Sequence, residues 1–149
     1  MKYVIDIDGT ICKEVIIPDS GGKKDYANHI PMPERIAKVN ALFDAGHTIK
    51  YMTARGCVSG VDYYNLTNNQ LIKWGAKFHE LSVGEKENYD IWIDDKAFWS
   101  ENFFRDTDTS PYPNVGRIPS GGPYYLEQPE YKDGDLNGVG VPESITSAP

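Results

Sequence analysis

Runs of apolar residues change their period along this chain, and the changes mark its elements. Lys2-Tyr3-Val4-Ile5-Asp6-Ile7 is a short β-prone run that meets the turn signal Asp8-Gly9-Thr10. Residues 11–30 read as a loop or hairpin, with Val15-Ile16-Ile17 followed by the turn-rich Pro18-Asp19-Ser20-Gly21-Gly22. Pro31-Met32-Pro33 then opens a helix, with Ile36, Val39, Leu42 and Phe43 at helical spacing and Gly46 as its stop. A second strand, Thr48-Ile49-Lys50-Tyr51-Met52, follows at once and closes in Thr53-Ala54-Arg55-Gly56. A second helix is expected from about 60 to 74, with Leu66, Leu71 and Trp74 as core candidates and Gly75 as stop. Residues 78–83 and 89–93 read as further strands, and 97–104 as a short helix. Strand–helix–strand order implies parallel pairing, so the expected fold is α/β and Rossmann-like, with a mainly parallel sheet flanked by helices.

After residue 104 the pattern stops. Seven of the ten prolines fall in 105–149, with Gly121-Gly122, Gly134, Gly138 and Gly140, and no helical period is visible there. The expected organisation is a core over 1–105 and a Pro/Gly-rich irregular arm over 106–149 that wraps the domain, meets a second subunit or is disordered.

The strand ends carry the candidate chemistry. Residues i and i+2 of a strand share a side, so Asp6 and Asp8 leave the first strand together. That edge of an open α/β sheet is where ligands bind. Two crowded carboxylates call for a divalent cation, a shared proton or both; the alternative is a plain strand running into an Asp-Gly turn. A second strand ending in Thr53-Ala54-Arg55 and a third in Asp94-Asp95, with Lys86 between them, make a series that chance supplies rarely.

In order, Asp6-Ile7-Asp8-Gly9-Thr10, Thr53, Lys86 and Asp94-Asp95 resemble the four motifs of the haloacid dehalogenase (HAD) superfamily of phosphohydrolases. Thr53-Ala54-Arg55-Gly56, Gln70-Leu71-Ile72-Lys73-Trp74-Gly75 and Ile93-Asp94-Asp95-Lys96-Ala97 look like its small capless members associated with capsule synthesis and phages. The resemblance implies Asp6 as nucleophile, forming an aspartyl-phosphate, and Asp8 as acid/base. It also implies Thr53 and its neighbours Ala54 and Arg55 on the phosphate, Lys86 as the cation offsetting its charge, and Mg²⁺ held by Asp6, the Asp8 main-chain carbonyl and Asp94. Asp95 either ligates through water or supports the ligands. Those relatives usually read Gly-Lys-Pro where this chain has Gly84-Glu85-Lys86-Glu87, and Lys73 is the fallback lysine. Residues 11–30 take the place of a mobile flap and are too few for a cap domain, as is the stretch between Arg55 and Lys86.

Single residues carry plainer alternatives. Arg55 is either a fork for a substrate phosphate or carboxylate, or a partner in a loop salt bridge. Lys23, Lys24 and His29 of the flap fit a solvated turn better than a substrate contact. His47 reads as a helix C-terminal residue and His79 as part of a strand. Cys12 and Cys57 read as reduced thiols near the loops, since two cysteines make no disulfide framework.

Composition narrows the partners. The 149 residues carry a formal net charge of −7, which disfavours a nucleic-acid or acidic-membrane binder without excluding a basic pocket for one phosphate. No signal peptide and no apolar run of spanning length is visible, so a cytoplasmic protein is expected. The expected function is a Mg²⁺-dependent phosphomonoesterase acting on a small phosphorylated substrate such as a sugar phosphate. Alternatives are a nucleotide or polynucleotide-end phosphatase and a non-catalytic phosphate- or protein-binding module. A homo-oligomer through the flap or the arm is left open.

Overall fold

β1 (Lys2–Asp6) forms where aromatic and β-branched residues suit a half-buried pleat, and it delivers Asp6 as its last residue. The computed structural model describes residues 1–105, so the expected C-terminal arm lies outside the described residues. β2 (Cys12–Lys13) and β3 (Ile30–Pro31) form a short antiparallel ladder on either side of the flap. The flap itself is a hairpin: the Ile17 and Asp25 amides donate to the Lys23 and Val15 carbonyls, each at 2.8 Å. It ends in a 3₁₀ turn over Tyr26–Asn28.

α1 (Pro33–Asp44) starts with proline at its first position, where a missing N–H costs nothing. It ends at Gly46, where the Gly46 and His47 amides close back on Phe43 and Leu42. β4 (Thr48–Thr53) follows, then α2 (Tyr64–Lys73), which ends in the same way at Gly75. β5 (Glu80–Val83) starts two residues later than the sequence suggested, and α3 (Ser100–Phe103) is shorter than its expected span.

The main sheet has order β1-β4-β5, all parallel, with Asp6 opposite Met52 and Thr53 opposite Val83. α1 packs against β4 and α2 against β5. Ile49, Tyr51 and Thr53 of β4 are buried at every second position, and Ile49 and Tyr51 share one core cluster with Ile5, Ile7, Ile36, Val39, Leu71 and Phe104. Parallel pairing makes β1 and β4 end on the same edge, so the chain leaves both strands side by side there. Among the described residues, no helix is long and apolar enough to cross a membrane.

One expected strand is absent. Residues 89–93 are irregular and exposed, with Ile93 at 93% exposure. The physical reason is local. The Asp94 carboxylate accepts the Lys96 amide at 2.7 Å and the Trp92 indole N–H at 3.4 Å, a turn that competes with a ladder.

Candidate active site at the edge of the parallel sheet

Asp6 stands where β1 gives way to a tight loop, in which the Thr10 and Ile11 amides both donate to the Ile7 carbonyl at 3.0 Å. The loop turns Thr10 back, so that its hydroxyl donates to Asp6 Oδ2 at 3.0 Å. Lys86, beyond β5, reaches across the sheet edge and donates from Nζ to Asp6 Oδ1 at 3.0 Å. Burial raises the Asp6 pKa above the ordinary carboxylate value, and Lys86 and Thr10 offset only part of that. Burial works against the Lys86 ammonium too, but the Asp6 charge and hydrogen bond outweigh it and raise its pKa. Lys86 is therefore a fixed positive charge on Asp6. Lys73, the fallback, is exposed and lines a separate cleft on the other side of Gln70.

Asp8 sits in different surroundings. Its Oδ1 accepts Arg55 Nη2 at 2.7 Å and His29 Nδ1 at 2.8 Å; its Oδ2 accepts Arg55 Nε at 2.9 Å and the Thr53 hydroxyl at 3.3 Å. Arg55 is buried, and its Nη1 donates to Thr67 Oγ1 at 3.2 Å and Gln70 Oε1 at 2.8 Å, both on α2. Burial pushes the Asp8 pKa up, but the His29 hydrogen bond and the Arg55 hydrogen bonds and charge outweigh it and hold the carboxyl well below its usual range.

Several expectations change here. Arg55 is the salt-bridge partner rather than a free fork for substrate, because its guanidinium is spent on Asp8, Thr67 and Gln70. Asp8 is held as an anion by His29 and Arg55, which leaves it poorly suited to donate a proton. Thr53 is buried beside it, with its hydroxyl also accepting the Arg55 amide at 3.2 Å. Asp94 and Asp95 do not join Asp6 and Asp8: both are exposed, and the Asp94 carboxylate is turned to its own segment. The loop after β4 is close-packed, for a Cβ on Gly56 (φ +85°) would lie 2.1 Å from the Val61 carbonyl oxygen.

These groups face a cleft of about 360 Å³. Asp6, Asp8, Thr53 and Ala54 form its sheet side, and Glu14, Lys24 and Tyr26 of the flap region close the opposite one. Lys24 lines the cleft, paired with Glu14 at 2.7 Å, and is exposed like Lys23. Cys57 lines the rim, and both cysteines are free thiols. His47 packs edge-on against Tyr3, and His79 stacks on Phe43 and accepts the Ile49 amide, so neither reaches the cleft.

Sequence reasoning missed His29, Thr67 and Gln70. His29 is buried rather than solvated because the β2–β3 ladder pairs Lys13 with Ile30 and so carries residue 29 back to the Asp8 loop. Its partners lie 21 residues away, and no local spacing signals them. Cys12 Sγ lies 3.6 Å from Asp8 Oδ1 and 3.9 Å from His29 Nδ1. This trio has the donor types of a transition-metal site. The Arg55 guanidinium on the same Asp8 oxygen opposes a cation there, and burial pushes the Cys12 thiol pKa up.

No family model matches the sequence, and no curated protein does. Among solved structures, the crystal structure of a structural-genomics target from Vibrio cholerae is similar, with a TM-score of 0.56 and 23% sequence identity. The likeness covers 68% of this chain and 85% of that one. At that identity it speaks for the fold alone, an α/β Rossmann-like fold with a mostly parallel sheet.

Proposed function

We propose that this chain is a phosphomonoesterase of the HAD type, acting through an aspartyl-phosphate on Asp6 with a small phosphorylated substrate such as a sugar phosphate. One observation carries the reading: Lys86 Nζ meets Asp6 Oδ1 at 3.0 Å although 80 residues separate them, on the sheet edge where Asp8 and Thr53 also stand. A carboxylate nucleophile for phosphorus needs a cation to offset its charge against the anionic substrate, and Lys86 is placed to do this.

An Asp6 oxygen forms the bond to phosphorus and the bond to the leaving oxygen breaks. Asp8, held as an anion, is a poor donor, so the leaving oxygen takes its proton from solvent in the open cleft. Asp8 then accepts a proton from the water that attacks the aspartyl-phosphate, which releases phosphate and restores Asp6, and it returns that proton to solvent to regain its anion. Both of its oxygens are occupied, so this step requires its clamp to loosen by one bond. The Ala54 main-chain amide takes a phosphate oxygen, since the Arg55 guanidinium and amide and the Thr53 hydroxyl are engaged elsewhere.

The donor set fits Mg²⁺ at one carboxylate. Mg²⁺ commonly uses one or two carboxylates with substrate phosphate oxygens and water. Asp6, on the cleft with a side chain 35% exposed, meets that need, and the Asp8 main-chain carbonyl, two residues along the chain, would be the second donor. When bound, the ion would neutralise phosphoryl charge. Asp94 and Asp95 have no part in this set.

Phosphate release from a broad panel of phosphomonoesters, with Mg²⁺ and with EDTA, tests the reading in wild type and Asp6→Asn. Turnover that needs Mg²⁺ and is lost in Asp6→Asn is the expected result, and the preferred esters identify the substrate class. Turnover retained in Asp6→Asn, or none on any ester, counts against it.

A further inference from the structure

We propose that His29 is a positioning residue for Asp8: its Nδ1–H fixes the orientation of the Asp8 carboxylate. Asp8 takes two N–H bonds from Arg55, so it is the acceptor towards His29 and Nδ1 carries the proton. The other ring nitrogen, Nε2, is buried and has no hydrogen-bond partner among the described residues. Leaving a ring nitrogen unpaired in the interior costs stability. A ring kept there for packing alone gains nothing from that cost, whereas one kept for its Nδ1 bond does.

The origin of Asp8's partners matters as much as their distances. Arg55 and Thr53 belong to the end of β4 and the turn after it, which the sheet and α2 hold in place. His29 comes from the flap. Its neighbour Tyr26 lies edge-on to the His29 ring, with centroids 5.4 Å apart, and sits 4.8 Å from the Arg55 guanidinium. Gln70 binds both sides: its Oε1 accepts Arg55 and its Nε2 donates to the Tyr26 carbonyl at 2.7 Å. One short stretch of chain thus places His29 on Asp8 and Tyr26 on Arg55. Without the His29 bond, Asp8 Oδ1 keeps Arg55, through Nη2 at 2.7 Å and Nε at 3.3 Å, and the Cys12 thiol at 3.6 Å.

Two variants separate this role from packing in the full chain. His29→Leu removes the donor at similar volume, and His29→Asn offers an amide N–H close to where Nδ1 stood. The kinetic arm rests on the phosphatase reading. With the preferred ester, His29→Leu lowers kcat on the order of 10- to 100-fold with KM within about two-fold, and His29→Asn recovers most of the loss. Wild-type kcat in His29→Leu overturns the proposal, as does equal loss in both variants at unchanged Tm. ¹⁵N-resolved NMR of the wild-type imidazole decides the point even if no ester is turned over or both variants unfold. An exchange-protected Nδ1–H whose resonance moves in Asp8→Asn is the expected result. A ring carrying its proton on Nε2 alone overturns it.

Discussion

Asp6 and Asp8 stand two residues apart at the end of one strand, yet they occupy unlike environments. Asp6 is met by one ammonium and one hydroxyl, with its side chain 35% exposed towards the cleft. Asp8 is met by a guanidinium, an imidazole and a hydroxyl, with its side chain 12% exposed. The first arrangement leaves a carboxylate able to react; the second fixes one. Paired carboxylates in a sequence therefore do not imply paired roles. What separates them is which distant residues the fold brings to each.

The sharpest break in the comparison is chemical. Asp6→Asn lowers phosphate release on the order of 10⁴-fold or more, as loss of a nucleophile does, while the urea midpoint moves little. Lys86→Met follows, with kcat down on the order of 10²- to 10³-fold and stability changed by less than about 1 kcal/mol, because the pair is partly exposed. Lys73→Met changes neither, and steady-state kinetics beside urea unfolding reads all three.

The Asp8 side breaks in the opposite sense. Arg55→Met strands a buried carboxylate and destabilises the fold by about 3–5 kcal/mol in urea unfolding. Asp8→Asn added to Arg55→Met recovers part of that loss, since the double variant buries no unpaired charge.

Acid titration distinguishes the same two groups. The Asp8 pKa is lowered in the folded state, so its stabilisation is fully present above the ordinary carboxylate value of 3.8 and is lost as pH falls below it. The Asp6 pKa is raised, so its ionisation costs stability as pH rises through and above that value. Urea midpoints from pH 2 to 6 should therefore lose the low-pH decline in part in Asp8→Asn, and show a shallower rise-related cost in Asp6→Asn.

How legible this was depends on the range of the interaction. Helix stops at Gly46 and Gly75, the β1 and β4 runs and the Asp6, Thr53 and Lys86 series are written in local pattern; the structure has those helix stops and strands, and it brings Lys86 to Asp6 and Thr53 to Asp8. The Asp8 clamp is not, because His29, Thr67 and Gln70 become its surroundings only through a two-residue ladder and a helix face. Residues 89–95 fail for a third reason. Their apolar run looks like a strand, but Ile93 is exposed among the described residues and the Asp94 carboxylate closes a local turn instead. The smallest expected effect tests this point: Asp94→Asn leaves kcat within about two-fold, as exposed substitutions away from a site do. A large fall in the same assay would mean that this segment reaches Asp6.

The most direct test of the central claim is to quench turnover of the preferred ester with borohydride and map the product by peptide mass spectrometry. An aspartyl-phosphate on Asp6 is reduced to homoserine at position 6, and the account predicts that change there, at no other carboxylate, and not in Asp6→Asn. Ester turnover with position 6 unmodified and another residue carrying the phosphoryl group would contradict it.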